Sequence, residues 1–250
     1  MRSARPRGRR ALSLLDFCFS AIGVLAAFAL AGAGVAYHRA AGTDRPASAV
    51  IGSIGRSGLS FAPALIGLGV AVGVSIAAEL AASVWSSLLL REEAPRLAAI
   101  SGLGAAFFSA CQAALRFNVD AIRLRVSDLR IIIASFAIAA AGFGLVSVQA
   151  GFAASVAGFA LIGVGTGPIV PCSFALAARQ AASGPAIGLA SASLFSALTR
   201  LPAPLATGAI AQALSLSAAF AAFALALVAT AAAVSIIAYL SRARRATRKA

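Results

Sequence analysis

The stretch VGVSIAAELAASVWSSLLL, residues 72–90, contains only one charged residue, Glu79. A helical run of about 20 mostly apolar residues matches the hydrocarbon thickness of a bilayer. A stretch of the same length in a water-soluble fold would carry several charges. Residues 72–90 therefore predict a membrane-spanning helix with a single ionisable group inside it.

The rest of the chain repeats this pattern. Of its 250 residues, 61% are hydrophobic and 11% are charged, against roughly 25% charged in an ordinary soluble domain. Apolar segments of spanning length occur at residues 11–37, 63–90, 97–115, 131–149, 152–178, 186–212 and 217–240. We expect an all-α integral membrane protein, with a six-helix bundle over residues 63–240 and one additional N-terminal transmembrane helix.

The basic residues are clustered beside the apolar segments, in residues 2–10, 116–130 and 242–249, and the net charge is +14. Lys and Arg are retained in cytoplasmic loops, whereas a nucleic-acid interface gathers them on one soluble face. The placement argues against nucleic-acid binding and puts the loop 116–130 and the basic tail 241–250 in the cytoplasm. The expected location is a bacterial inner membrane, with several passes and a cytoplasmic C-terminus.

The start of the chain admits two interpretations. The basic segment 1–10 and the apolar residues after it resemble a secretory signal peptide, but the apolar run 11–37 is longer than a signal core, which favours a retained helix. Residues 38–62 would then be a cytoplasmic linker, and residues 1–10 would lie outside, against the positive-inside rule. Either segment 11–37 is not a full span, or the chain does not start where the intact protein starts.

Residue types that support catalysis or metal binding are scarce. The chain has one histidine, His38, and three cysteines, Cys18, Cys111 and Cys172, which lie far apart in apolar segments. Metal sites need ligands at close spacing, and nucleophilic catalysis needs a base beside the nucleophile. We therefore expect no enzyme activity, no metal and no cofactor.

Two charged residues, Glu79 and Arg200, fall inside apolar segments. Each is about twelve residues from the outer end of its segment, so the two lie at similar depth. Ionisable groups in a membrane usually face a bundle interior or a water-filled path, and we predict that these two pair. The pair either lines a path for a proton and a polar solute or is a buried salt bridge that fixes helix packing.

Two uncharged residues are further candidates for the same path. Gln112 precedes Arg116 by one helical turn and either lines the path or hydrogen-bonds a neighbouring helix. Trp85 lies near the outer end of its segment and either contacts solute or anchors the helix at the membrane interface.

Glycine and proline interrupt two of the apolar segments. Such residues in membrane helices favour close packing and kinks, and interrupted helices beside buried charge are typical of transporter sites. The candidate positions are Gly163, Gly165, Gly167, Pro168 and Pro171 in one segment, and Pro204 and Gly208 in the next.

Four stretches together resemble the C-terminal six-helix half of a major facilitator superfamily transporter, in particular the sugar-permease-like branch that includes fucose permease relatives. They are AELAASVWSSLLLR (78–91), RFNVDAIRLRVSD (116–128), GFALIGVGTGPIVPCSFALAAR (158–179) and PLATG (204–208). The resemblance implies alternating access of a small solute, sugar-like or drug-like, with or without proton coupling. It would also make segment 11–37 the sixth helix of a full transporter.

The resemblance further implies a cytoplasmic gating loop, in which an acidic residue amid arginines bridges helix ends. Its positions here are Arg116, Asp120, Arg123 and Arg125, and Val119 stands where the family usually has glycine. Because such transporters have two halves, we expect a truncated or half transporter that meets a second six-helix half, or a second copy of itself, in the lipid bilayer. The alternative is a non-transporting membrane protein, either a degraded fragment or an assembly partner of a split permease.

Overall fold

The computed structural model describes residues 59–181 and 184–247, with side chains described as far as Tyr239. All of the described residues belong to one compact unit. The predicted basic segment 1–10, the additional helix 11–37 and nearly all of the linker 38–62 lie outside the described residues.

The described part of the chain is helical throughout and contains no strand. Its α-helices are α1 (Pro63–Glu93), α2 (Leu103–Arg123), α3 (Asp128–Val148), α4 (Phe152–Thr166), α5 (Ile169–Gln180), α6 (Pro185–Arg200), α7 (Ala203–Ala213) and α8 (Leu216–Thr247). A short 3₁₀ helix, Pro95–Ile100, joins α1 to α2.

Five helical stretches of the described part are long and apolar enough to cross a membrane: Pro63–Glu93, Asp128–Val148, Phe152–Gln180, Pro185–Ala213 and Leu216–Tyr239. They confirm an all-helical chain compatible with a multi-pass membrane protein. The predicted span 97–115 differs from the structure. Its first residues form the 3₁₀ helix, and α2 begins at Leu103 and runs on to Arg123. With Gln112, Arg116 and Asp120 inside it, α2 is not among the five.

Proline marks both breaks between consecutive helices within one span. Gly167 and Pro168 separate α4 from α5, and Leu201 and Pro202 separate α6 from α7. Proline has no backbone N–H to continue a helix, and its fixed φ suits the first turn of a new one. Pro204 accordingly lies in the first turn of α7. Gly208 was predicted at a break, but it lies inside α7, where an added side chain would meet no atom within 4 Å.

The aromatic part of the core lies between α3, α4 and α8, and α1 adds Leu65, Leu89 and Leu90 to the same buried cluster. Phe143 of α3 and Phe159 of α4 both contact Phe220 of α8, with ring centroids 5.5 and 5.7 Å apart. Offset and edge-to-face aromatic pairs add stability beyond the burial of their area. The three aromatic rings are fully buried, so they pack α3, α4 and α8 together.

Helix α1 packs against α6 across glycines. A Cβ added to Gly69 would lie 2.5 Å from Cβ of Phe195, and one added to Gly73 would lie 2.6 Å from Cβ of Thr199. Real Cβ atoms do not approach so closely, so only glycine allows this backbone separation. The contact occupies one face of α1 and leaves another face for α2.

Helices α2 and α7 are the most open part of the bundle. Only Gly104, Phe108 and Val119 are buried on α2, and only Thr207 is buried on α7. Several polar side chains of α2 are exposed, among them Arg116, Asn118 and Asp120.

Candidate functional site

A carboxylate–guanidinium pair joins the middle of α1 to α2. The Nη2 atom of Arg116 donates to both carboxylate oxygens of Glu79, at 3.0 and 2.9 Å. The side chain of Glu79 is 16% exposed and that of Arg116 is 43% exposed. The two residues, called the Glu79 pair below, thus form a short ionic contact that is open on one side.

The predicted pairing of Glu79 with Arg200 is wrong. Arg200 is the last residue of α6, is exposed, and makes no ion pair with any residue that the structure describes. The apolar run before Arg116 ends at Leu115, which favoured a loop there, but α2 continues to Arg123. Arg116 therefore lies about 10 Å inside the helix end at 1.5 Å per residue, where it reaches Glu79.

Gln112 connects this pair to α4. It lies one turn before Arg116, and its Nε2 donates to Oγ1 of Thr166 at 3.2 Å. Gln112 also faces the Glu79 carboxylate, as does the buried hydroxyl of Ser75, which completes no hydrogen bond of normal geometry within the described part of the chain. Polar groups from α1 and α2 therefore surround one carboxylate, and Gln112 links them to Thr166 of α4.

Trp85 does not join this group. It lies further along α1, is partly buried, and packs against the hydrophobic core. A helix advances 1.5 Å per residue, so Trp85 lies about 9 Å from Glu79 along the axis. In the structure, the Trp85 indole therefore packs against the hydrophobic core.

Close approach of α4 to its neighbours positions Gln112 and Thr166. A Cβ added to Gly163 would lie 2.1 Å from the carbonyl oxygen of Phe108, and one added to Gly167 would lie 3.1 Å from that of Gln112. A Cβ on Gly165 would lie 2.4 Å from the backbone nitrogen of Ala139. Glycine on two faces of α4 thus lets α2 and α3 approach it closely. Pro171 lies in the first turn of α5 and contributes to neither contact.

A second group of charges lies where α2 ends, α3 begins and α5 ends. Arg123 Nε donates to Oδ1 of Asp128 at 2.7 Å, and Arg179 donates to Oδ2 of the same carboxylate. Arg123 Nη1 also donates to Asp120 at 3.0 Å. We call Asp120, Arg123, Asp128 and Arg179 the Asp128 cluster. With Leu124, Val126 and Ser127 these residues line an open cavity of about 480 Å³.

The predicted gating loop therefore needs correction. Arg116, Asp120 and Arg123 are helical residues of α2, and only Arg125 lies in the turn before α3, where it is exposed. The side chain of Asp120 is 87% exposed, whereas that of Asp128 is 6% exposed. Asp128, rather than Asp120, is thus the central acidic residue of the group.

Sequence reasoning missed Asp128 and Arg179 as partners. A local signal for Asp128 existed, because Ser-Asp at the start of an apolar run is typical of a helix N-terminus. An acidic residue there is favoured by the helix dipole. No local signal pairs residue 128 with residue 179.

The opposite end of the bundle has its own polar contact. Glu93, the last residue of α1, accepts hydrogen bonds from the backbone N–H of Gly151 at 2.7 Å and from the hydroxyl of Ser155 at 2.6 Å. Gly151 has a φ of 112°, which favours glycine. Glu93 therefore caps the N-terminus of α4, and Arg91 beside it donates to Ser101 at 3.0 Å.

No family model matches the chain, and neither the curated proteins nor the solved structures compared with it give a match. Among the residues whose side chains are described, no group of three or more His, Cys, Asp or Glu is placed to hold a metal ion. The Glu79 pair and the Asp128 cluster are therefore the candidate sites, and their chemistry is that of carboxylates and guanidinium groups.

Proposed function

We propose that the chain is a six-helix half of a major facilitator superfamily transporter of the fucose permease-related branch, which moves a small solute by alternating access. The observation that supports this best is the Glu79 pair, because it lies near the middle of α1, a helix of spanning length. Charged groups at such depth are costly in lipid and usually face water or a polar path.

The character of α2 also supports a path. Of the described helices, α2 has the strongest separation of apolar and polar faces, and Arg116 is 43% exposed. A helix of this kind fits a wall between a packed bundle and a water-filled space. The partner across that space would be a second six-helix half or a second copy of the chain.

The Glu79 pair suggests how a proton and a solute could be coupled. With Glu79 ionised, Arg116 is neutralised. Protonation of Glu79 would release the guanidinium, which could then bind a polar or anionic group of the solute through its free N–H donors. Gln112 contacts both Thr166 and the Glu79 carboxylate. Its side-chain amide would therefore rearrange its hydrogen bonds when Glu79 is protonated.

The test is solute-driven proton movement. The chain would be purified in mild detergent with any six-helix partner it retains, and reconstituted into vesicles that contain a pH-sensitive dye. A panel of sugars and small organic solutes would be added outside. We expect at least one solute to acidify the lumen, and Glu79→Gln to abolish the signal.

Glu92→Gln is the matched control, because Glu92 is an exposed acidic residue at the end of the same helix and should leave the signal intact. A solute signal that survives Glu79→Gln would remove Glu79 from the path. The absence of both lumen acidification and uptake of labelled solute for every solute, with the partner present, would favour the alternative of a non-transporting membrane protein.

A further inference from the structure

A half-open groove lies at the bundle end where α1 begins and where α5 and α8 approach their ends. Its volume is about 540 Å³, within the range of about 300 to 1,000 Å³ that is usual for small-molecule sites. Ten described residues line it; eight are apolar, and the polar two are Arg179 and Gln180. We call it the α1–α5–α8 groove. It is an apolar channel with a cation at its mouth.

Small residues on α1 keep the groove open. Ala64 and Gly67 line it opposite Val234 and Ile237 of α8. A Cβ added to Gly67 would lie 3.4 Å from Cδ1 of Ile237, which is ordinary contact. A longer side chain at this position would therefore fill the groove without forcing the backbones apart.

Arg179 has hydrogen-bonding capacity to spare. Among the described residues, this guanidinium contacts one partner, through Nη2 to Asp128, and the side chain is 59% exposed. Arginine has five N–H donors, and its planar fork suits a phosphate. The unused donors are available to a ligand at the mouth of the groove.

Further basic residues lie on α8, beyond the residues that line the groove. Helix α8 runs on to Thr247, and Arg242, Arg244 and Arg245 lie on this extension. At 1.5 Å per residue they are within about 10 Å of Ala238 along the helix axis. Among the described residues that line the groove, none is acidic and Arg179 is basic.

We propose that the α1–α5–α8 groove binds one acyl chain of an anionic phospholipid, with the lipid phosphate held at Arg179. Basic pockets between membrane helices on the cytoplasmic side recognise anionic headgroups, and an apolar groove excludes a free phosphate from most of the site. The inference needs the helices to lie in a bilayer but is independent of solute transport. The phosphate and Asp128 would both accept hydrogen bonds from Arg179, so a bound lipid would contact the Asp128 cluster directly.

The experiment measures lipid retained by the intact chain. Detergent-purified protein is titrated with dioleoyl phosphatidylglycerol or dioleoyl phosphatidylcholine and examined by native mass spectrometry. We expect preferential retention of phosphatidylglycerol. Each basic residue at a membrane surface contributes about fivefold in affinity, so Arg179→Gln should lower phosphatidylglycerol binding by about fivefold, and Arg179→Lys should restore most of it.

Two controls separate the site from general charge and from misfolding. Arg130→Gln removes an exposed arginine near the same bundle end that does not line the groove, and it should change nothing. Gly67→Leu fills the groove without touching Asp128 and should also lower binding, whereas Gly144→Leu adds the same side chain in open space and should not.

Four results would overturn the proposal. One is equal retention of both lipids, which would mean that any acyl chain fits. Another is an equal loss in Arg130→Gln. A third is binding of inorganic phosphate with the affinity of phosphatidylglycerol, because the groove would then add nothing. The fourth is the absence of any bound lipid, which would assign the groove to another occupant.

Discussion

The Glu79 pair and the Asp128 cluster both join an acidic residue to arginine, but their surroundings differ. Asp128 is almost fully buried and accepts from two arginines on two other helices. Glu79 has one arginine, and that arginine is nearly half exposed. A buried carboxylate with two fixed donors stabilises helix packing, whereas a carboxylate on an open face keeps the freedom to exchange its partner. The positions of the two groups support this distinction, because the cluster lies at helix ends and the pair lies midway along α1.

The largest expected effect is on the cluster. Asp128→Ala removes the common acceptor of Arg123 and Arg179 and leaves two guanidinium groups facing each other. The carboxylate of Asp128 accepts two charge-assisted hydrogen bonds, each of which typically contributes about 1.5 kcal/mol to the free energy of unfolding, and we expect a loss of about 3 kcal/mol. Unfolding in mixed micelles, followed by circular dichroism, measures it. Asp120→Ala is the control, because an exposed ion pair contributes about 1 kcal/mol or less.

A smaller effect is expected where packing supports the pair. Gly163→Ala places a methyl group against the carbonyl of Phe108 and must separate α4 from α2. Such overpacking typically lowers the free energy of unfolding by about 2 kcal/mol. Gly208→Ala, in open space on α7, should be neutral or stabilising. If Gly163→Ala were equally neutral in the same unfolding assay, close α2–α4 contact would not position Gln112.

A substitution at Glu93 tests whether a partly buried carboxylate stabilises the fold as much when its hydrogen-bond donors are not arginines. Glu93 accepts from a backbone N–H and a hydroxyl instead of arginines. Loss of a helix N-terminal cap typically lowers the free energy of unfolding by about 1 kcal/mol, and we expect this for Glu93→Ala by the same measurement. A loss as large as that of Asp128→Ala would mean that paired arginines are not what sets the cluster apart.

The smallest effect on stability is expected at the pair itself. Glu79→Gln keeps the side-chain shape and leaves Arg116 partly hydrated, so the free energy of unfolding should fall by about 0.5 kcal/mol. Glu92→Gln provides the baseline. A loss of several kcal/mol would contradict the distinction between the two groups and would make Glu79 a packing residue.

Hydropathy predicted most of the fold, because a membrane span needs a continuous apolar run and little else. The stretch 72–90 lies within α1, and the sequence predicted Glu79 as a charge inside a spanning segment. The partner of Glu79 was not identified, because α2 continues for two turns beyond its apolar part and carries Arg116 with it. The depth of a residue follows from where a helix ends, and a drop in hydropathy marks that end poorly.

The Asp128 cluster illustrates a different difficulty. Asp128 and Arg179 are 51 residues apart in the chain, and nothing in either local sequence specifies the other. Their contact depends on how α3 and α5 are placed by the core of aromatic rings and glycines. The loop predicted over residues 116–130 is mostly the end of α2 and the start of α3, and the choice between Asp120 and Asp128 required burial, which only the fold supplies.

The glycine contact between α1 and α6 also has a consequence for biosynthesis. Gly73 and Thr199 meet across this contact, yet Thr199 leaves the ribosome well over a hundred residues later. At about 5 to 20 residues per second, α1 spends on the order of ten seconds in the membrane before α6 is made. Throughout that interval its glycine face is uncovered and open to other small-residue helices. Correct assembly therefore requires that α1 does not pair with another helix before α6 of the same chain has been made.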